Sequence, residues 1–229
     1  MDLEELKKQA AEKAVAHVRP DMVVGLGTGS TSFYAVNALA KRMKEERFSV
    51  VGVPTSERTA AQAKQLGIPL ATLEEKPRLD LAIDGADEVQ RGTLHLIKGA
   101  GGALLREKLV EAAAAIFIVI ADETKKVERL GTKFKLPVEI VRFGWKSTFA
   151  RVEALGCKAF LRPGKDGQPF VTDENHYLLD CQFPPIENPA QLADRLKETT
   201  GVVEHGLFIG MTAEAIIAGS QGIEVWKPS

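Results

Sequence analysis

Short apolar runs alternating with helix-like segments constrain this chain more than any other feature. Residues 22–26, 49–53, 79–83 and 116–120 are each of strand length and rich in Val, Ile, Leu and Ala. The last run is apolar throughout, as a strand covered on both faces must be. A segment following Thr31 to about residue 46, and the stretches 56–65 and 101–115, read as helices, and shorter strand-like pieces fall near Leu70 and at 94–97. Upstream, Leu3, Leu6, Ala10, Ala14 and Val18 recur at helical spacing behind Asp2 and Glu5, a capping box, in a helix expected to end near Pro20. Strands alternating with helices predict an α/β fold with a doubly wound, mostly parallel sheet.

Beyond Gly131 the order changes. Strand, helix, strand, strand, helix and strand are expected at 137–142, 146–155, 157–162, 177–182, 188–200 and 202–203. A turn at 163–167 and strand-like Phe170-Val171 lie between the middle strands. This is the order of the ferredoxin-like split unit. Asn188 reads as a cap with Pro189 at the first helical position. The tail has strands at 206–209 and 223–226 with a helical turn at 213–218; it is too short to fold alone and is expected to rejoin the first sheet. Two domains are expected: residues 1–130 plus 204–229, and an inserted α+β domain of residues 131–203.

Composition narrows the function. The 229 residues carry 30 Lys or Arg against 31 Asp or Glu, a formal net charge of −1. That balance gives no bulk attraction to nucleic acid or to an anionic membrane. No apolar run approaches the roughly 20 residues that span a bilayer. The stretch from Met1 to Lys13 is acidic and amphipathic, without the apolar core of a signal peptide, so a cytoplasmic location is expected. Cys157 and Cys181 lie in strand-like runs without metal-ligand spacing and read as reduced, buried thiols.

The chemistry-bearing residues gather at strand ends. Thr28-Gly29-Ser30-Thr31 follows a strand and opens a helix, where bare backbone, hydroxyls and the positive helix end suit a phosphate. With glycines at 25, 27 and 29 it matches neither the dinucleotide fingerprint nor a Walker loop, and a plain turn capped by Ser30 is the alternative. Ser56 and Thr59 read as helix capping. Asp84-Gly85-Ala86-Asp87 ends the 79–83 strand. One aspartate there is an ordinary turn cap; two suggest acid–base work or hydroxyl binding. A metal reading has only Glu88 nearby and an isolated His95 to support it, and metal-free chemistry is favoured. Lys98 precedes Gly99-Ala100-Gly101-Gly102 and can hold an oxyanion with the loop N–H groups, or be a solvated surface lysine. Glu107 falls in the second turn of the 101–115 helix, where spacing alone favours a solvent-facing carboxylate. Lys125 and Lys126 follow the 116–120 strand, and one of them can complete a phosphate site. No G-x-S-x-G elbow occurs, and His17, His95, His176 and His205 are scattered, which disfavours a nucleophile triad. The set points to proton transfer beside a carbonyl.

The motifs GLGTGST at 25–31, DGADEV at 84–89, KGAGGALLREK at 98–108, ADETKKV at 121–127 and LPVEI at 136–140, in that order, make the chain similar to the A-type ribose-5-phosphate isomerases. The likeness runs over nearly the whole chain. It implies a Rossmann-like α/β domain with a small ferredoxin-like α+β domain, in agreement with the division above. It implies interconversion of ribose 5-phosphate and ribulose 5-phosphate without metal or organic cofactor, in a homodimer or homotetramer. By the same resemblance Glu107 is the general base; Asp84, Asp87 and Lys98 support the chemistry; and Thr28 to Thr31, Asp84 to Asp87, Lys98 to Gly101 and Lys125 bind substrate. Where many members read KGGGAAL this chain reads KGAGGAL, an exchange of small residues that keeps Lys98 and Gly99. The rival readings are a related sugar-phosphate isomerase or lactonase, a CoA-transferase-like enzyme with a glutamate nucleophile, and a non-catalytic sugar-phosphate sensor.

Overall fold

In the computed structural model, which describes residues 2–165 and 167–229, the first helix forms where its spacing places it. Helix α1 (Leu3–Val15) buries Leu6, Ala10, Ala11, Ala14 and Val15. Asp2 caps it by accepting from the Glu4 N–H, without a reciprocal bond from Glu5. There follow β1 (Val23–Leu26), α2 (Ser30–Glu46), β2 (Val51–Pro54), α3 (Glu57–Gln65), β3 (Leu81–Gly85), β4 (Glu88–Gln90), β5 (Leu96–Ile97), α4 (Leu104–Ala112), β6 (Phe117–Asp122) and β7 (Lys126–Val127). Next come β8 (Leu136–Ile140), α5 (Trp145–Glu153), β9 (Lys158–Leu161), β10 (Tyr177–Gln182), α6 (Pro189–Glu198) and β11 (Val202–His205). The chain closes with β12 (Leu207–Phe208), β13 (Glu214–Gly219) and β14 (Gly222–Trp226).

The largest sheet has the order β14-β13-β6-β3-β1-β2. Its pairings are parallel except for the β13–β14 hairpin. Strand β6 lies inside it with all six residues buried. Ile118 and Ile120 join the cluster formed with α1 and α2, while Phe117, Val119 and Ala121 join the opposite cluster with Leu94, Leu96 and Phe208. This two-sided cover is what the uniform apolarity of the run requires. A second sheet, β11-β8-β10-β9, is antiparallel throughout and carries α5 and α6 in the anticipated β-α-β-β-α-β order. Val138, Ile140, Leu179 and Leu196 are among its fully covered core residues.

A third sheet, β12-β5-β4-β7, is made of strands only two or three residues long, too short to show a period. It matters for the site. Strand β4 starts directly after Asp87, and β5 ends directly before Lys98. The buried Glu88 carboxylate accepts from the N–H groups of Gly131, Lys133 and Phe134, at 2.6, 2.5 and 2.8 Å. That fully engages the acid considered for a metal.

Several sequence expectations are corrected. Of residues 213–218, read as a helical turn, 214–218 belong instead to β13, a strand parallel to β6. The segment reads AEAIIA, rich in helix formers, but pairing between β6 and β14 with burial of Ala215 to Ala218 overrides local propensity. The 206–209 strand is β12, in the third sheet rather than the first. The first helix ends at Val15, not near Pro20, and the helix expected from 101 begins at Leu104. Leu70 makes only an isolated bridge to Gly52, and Val171 one to Tyr177. Asp166 of the expected 163–167 turn, and Met1, lie outside the described residues.

Candidate active site

The loop after β1 is built around a buried carboxylate. Asp84, at the end of β3, accepts through Oδ1 from the Thr28 N–H at 2.9 Å, the Ser32 hydroxyl at 2.6 Å and the Gly85 N–H at 2.6 Å. Gly27 permits this approach: a Cβ there would stand 2.1 Å from Asp84 Oδ1. The Thr28 hydroxyl lies within 2.7–3.0 Å of the hydroxyls of Thr55, Ser56 and Thr59. Helix α2 is preceded by Gly29, with φ of 135°, and has no side-chain cap. Its leading N–H groups therefore face the cavity mouth without an intrahelical partner.

Lys98 is the centre of charge. It is 2% exposed. Its Nζ donates to the Gly85 carbonyl at 2.6 Å and stands 2.8 Å from Asp84 Oδ2, 3.2 Å from Glu111 Oε1 and 3.6 Å from Glu107 Oε2. Desolvation disfavours its charge, but Asp84, Glu107 and Glu111 outweigh that, so its pKa is held well above the ordinary lysine range. Three carboxyls share this one cation, and burial acts against their charges. Burial pushes Glu107 up to about 8 despite the pull of Lys98. Burial also raises Glu111 well above the carboxylate range, with Lys98 opposing and Asp84 acting in the same sense as burial. Helix α4 brings both glutamates to Lys98 because 107 and 111 are four apart on one face. On another side of α4, the Lys108 ammonium donates to the carbonyls of His205 and Leu207 at 2.6 and 2.9 Å.

The glycine loop between Lys98 and α4 is positioned from outside as well. Gly99 and Gly102 adopt φ of 105° and 83°, and a Cβ at Gly102 would stand 2.6 Å from the Phe170 ring. The Arg162 guanidinium, one residue beyond β9, donates to the carbonyls of Gly99 and Ala100 at 3.0 and 3.1 Å while pairing with Asp180. The Ala100 N–H donates to Asp87 Oδ2 at 2.9 Å. Burial raises the Asp87 pKa, with the Ala100 N–H and the nearby cations pulling the other way. Lys125 sits with its ammonium 4.3 Å from the centre of the Phe134 ring, on the turn that Glu88 fixes. These pieces enclose a cavity of about 270 Å³ lined by Thr28 to Thr31, Gly85 to Asp87, Lys98 to Gly101, Glu107, Lys125 and Arg58.

The family model described as ribose 5-phosphate isomerase A (phosphoriboisomerase A) matches residues 51–222. This chain belongs to the ribose 5-phosphate isomerase A family. It is 68% identical over 226 residues to a ribose-5-phosphate isomerase A of Synechococcus sp. (strain JA-3-3Ab), covering 99% of this chain and 98% of that one. It superposes on a D-ribose-5-phosphate isomerase solved in complex with phospho-erythronic acid, with a TM-score of 0.96 at 38% identity over 99% of this chain and 100% of that one. A ribose 5-phosphate isomerase A from Methanocaldococcus jannaschii gives 0.94 at 37% identity, with coverage of 99% and 100%.

Within this family member, the sequence-derived site residues lie together. All of them line the cavity except Asp84, which is buried behind it as the partner of Lys98 and Thr28. Of the two adjacent lysines, Lys125 lines the cavity, whereas Lys126 is engaged by Glu224 and the Trp226 ring. Ser56 is a helix cap, accepting from the Thr59 N–H at 3.1 Å, and Ser30 is not the cap of α2. Glu107 is in the first turn of α4 and buried, not solvent-facing in a second turn. Sequence reasoning missed Glu111, Arg162 and Arg58. Glu111 was detectable as the next residue on the face of Glu107; Arg162 has no local signal, since it acts from the second sheet. Gly27→Ala should displace the Asp84 carboxylate and cost about 1–3 kcal/mol of stability by overpacking. Thermal unfolding beside an activity assay checks this, and an unchanged midpoint with full turnover would exclude the packing constraint.

Proposed function

We propose that this protein interconverts D-ribose 5-phosphate and D-ribulose 5-phosphate, with Glu107 as the base. The observation that carries this reading is the buried Glu107 carboxyl 3.6 Å from Lys98, on the wall of a cavity whose other wall is the uncapped start of α2. The α2 N–H groups, the hydroxyls of Ser30 and Thr31 and the Lys125 ammonium suit the phosphate. Asp87 suits the sugar hydroxyls and the proton of ring opening. It lines the cavity, whereas Asp84 is occupied by three donors and Lys98.

In the open-chain aldose, Glu107 takes the proton from C2. The C–H electron pair forms the C1–C2 double bond and the carbonyl pair moves to O1, giving a cis-enediolate; the proton that O2 gives up passes to O1. Glu107 returns its proton to C1 while O2 becomes the ketone. No electrons leave the substrate. Lys98 and the loop N–H groups hold the developing oxyanion, an arrangement worth about 10²–10³-fold per donor. Phospho-erythronic acid, bound by the similar enzyme, has a planar carboxylate beside hydroxylated carbons, the shape of that enediolate.

A coupled assay for ribulose 5-phosphate, with and without a chelator, tests the reaction; absence of product would reject it. Two further outcomes are expected. Because the base must be ionised and its carboxyl sits at about 8, kcat/KM should rise with pH up to that region and fall about tenfold per unit below it. A pH profile measured on ribose 5-phosphate checks this, and an acid limb near 4 would reject the raised Glu107. Lys125→Gln should raise KM by about tenfold or more, one charge-assisted bond, with little change in kcat; a large fall in kcat at constant KM would place Lys125 in the chemistry instead. We also read residues 131–203 as an inserted domain, supported by a sheet whose strands all lie between Leu136 and His205. A cytoplasmic homodimer or homotetramer completes the proposal. Among the described residues no helix is long and apolar enough to cross a membrane.

A further inference from the structure

We propose that Arg58 is a phosphate-binding residue of this site. The inference rests on the isomerase reading for the identity of the substrate. Arg58 is the second residue of α3, and its side chain lines the same cavity as Ser30 and Lys125. Its Nη2 lies 3.8 Å from where a Cβ on Gly101 would stand, so the guanidinium sits against the glycine loop. It also borders the surface groove outside the cavity, next to Gly29 and Phe33. It therefore occupies the rim, between the uncapped start of α2 and the loop.

Nothing among the described residues accounts for that placement. Among the described residues the Arg58 side chain has no hydrogen bond, ion pair or ring contact. The adjacent acid, Glu57, is engaged by Arg106 at 2.8 Å. A cation in the first turn of a helix is opposed by the helix dipole, and an unpaired one there gains nothing from its own element. A phosphate dianion at the mouth of α2 reverses that balance, because the positive ends of α2 and α3 and the guanidinium then act on one charge. The planar fork of arginine matches two phosphate oxygens, which a lysine does not. The buried end of the cavity, with Lys98 and Glu107, is left to the reacting carbons.

The test compares the wild-type chain with R58Q and R58K, using ribose 5-phosphate kinetics and calorimetric titration with inorganic phosphate. R58Q should raise KM by about 10- to 100-fold, the weight of a charge-assisted contact, with kcat nearly unchanged. It should weaken phosphate binding by a similar factor. R58K should recover part of both. Unchanged KM and phosphate affinity in R58Q would overturn the proposal, and so would a raised KM with phosphate affinity intact, which would put Arg58 on the sugar. Wild-type turnover tests the isomerase reading separately: phosphate affinity differing between wild type and R58Q would support the Arg58 contact even if ribose 5-phosphate were not turned over.

Discussion

Glu107→Gln should lower the turnover of ribose 5-phosphate by about 10²–10⁴-fold, the usual contribution of a positioned base, and leave KM little changed. Glutamine keeps the shape of the side chain, so the buried slot beside Lys98 stays filled. The groups assigned to the phosphate and hydroxyls lie elsewhere, on α2, Asp87 and Lys125. Folding should survive as well, because Asp84 and Glu111 remain within 2.8 and 3.2 Å of Lys98. Steady-state kinetics beside a thermal melt separates these effects. Near-normal turnover in a folded variant would remove Glu107 from the role of base. A collapse of stability would instead mean that its charge is structural.

Lys98→Met should be the most destabilising single change in the site, at about 3–5 kcal/mol, the usual cost of removing one partner from a buried ionic cluster. Methionine fills much the same volume, so the loss is electrostatic. The deficit should also depend on pH. Burial already raises the carboxyls of Glu107 and Glu111, and Lys98 is what pulls them down. Without it they rise further. A carboxyl with a raised folded-state pKa favours folding below its unfolded value, and that advantage is lost as pH rises through the folded value. The variant should therefore lie closest to wild type near pH 4–5 and fall away progressively towards pH 8 and above. Denaturant titrations across that range provide the measurement; a deficit independent of pH would assign the effect to packing.

Much of the site was visible in the sequence because strand ends in a doubly wound sheet place their loops on one edge. Thr28 and Lys125 lie just beyond β1 and β6, and Asp84 is the penultimate residue of β3, so alternation alone brings them together. Glu107 was not visible on those grounds. A carboxylate in a helix reads as solvent-facing unless it is known that a lysine lies buried opposite, and that lysine is set by β5, a two-residue strand without a pattern. Resemblance supplied what periodicity lacked. Arg162 shows the same limit at longer range: its hold on the glycine loop spans some 62 residues of sequence and two sheets. Strand β13 misled for a different reason, since a strand covered on both faces needs no alternation and AEAIIA carries none.

That strand has a consequence for how the molecule is made. Strand β6 emerges during synthesis long before β13, with residues 123–213 between them. Until β13 arrives, β6 offers an unpaired edge on a strand apolar from Phe117 to Ala121, the kind of surface that invites pairing with another nascent chain. The antiparallel sheet can form in the meantime, but the sheet that positions Asp84 and the cavity floor closes only when residues 214–226 have left the ribosome. A ribosome stalled near residue 213 would thus hold a chain with every site residue synthesised and the sheet behind them still open.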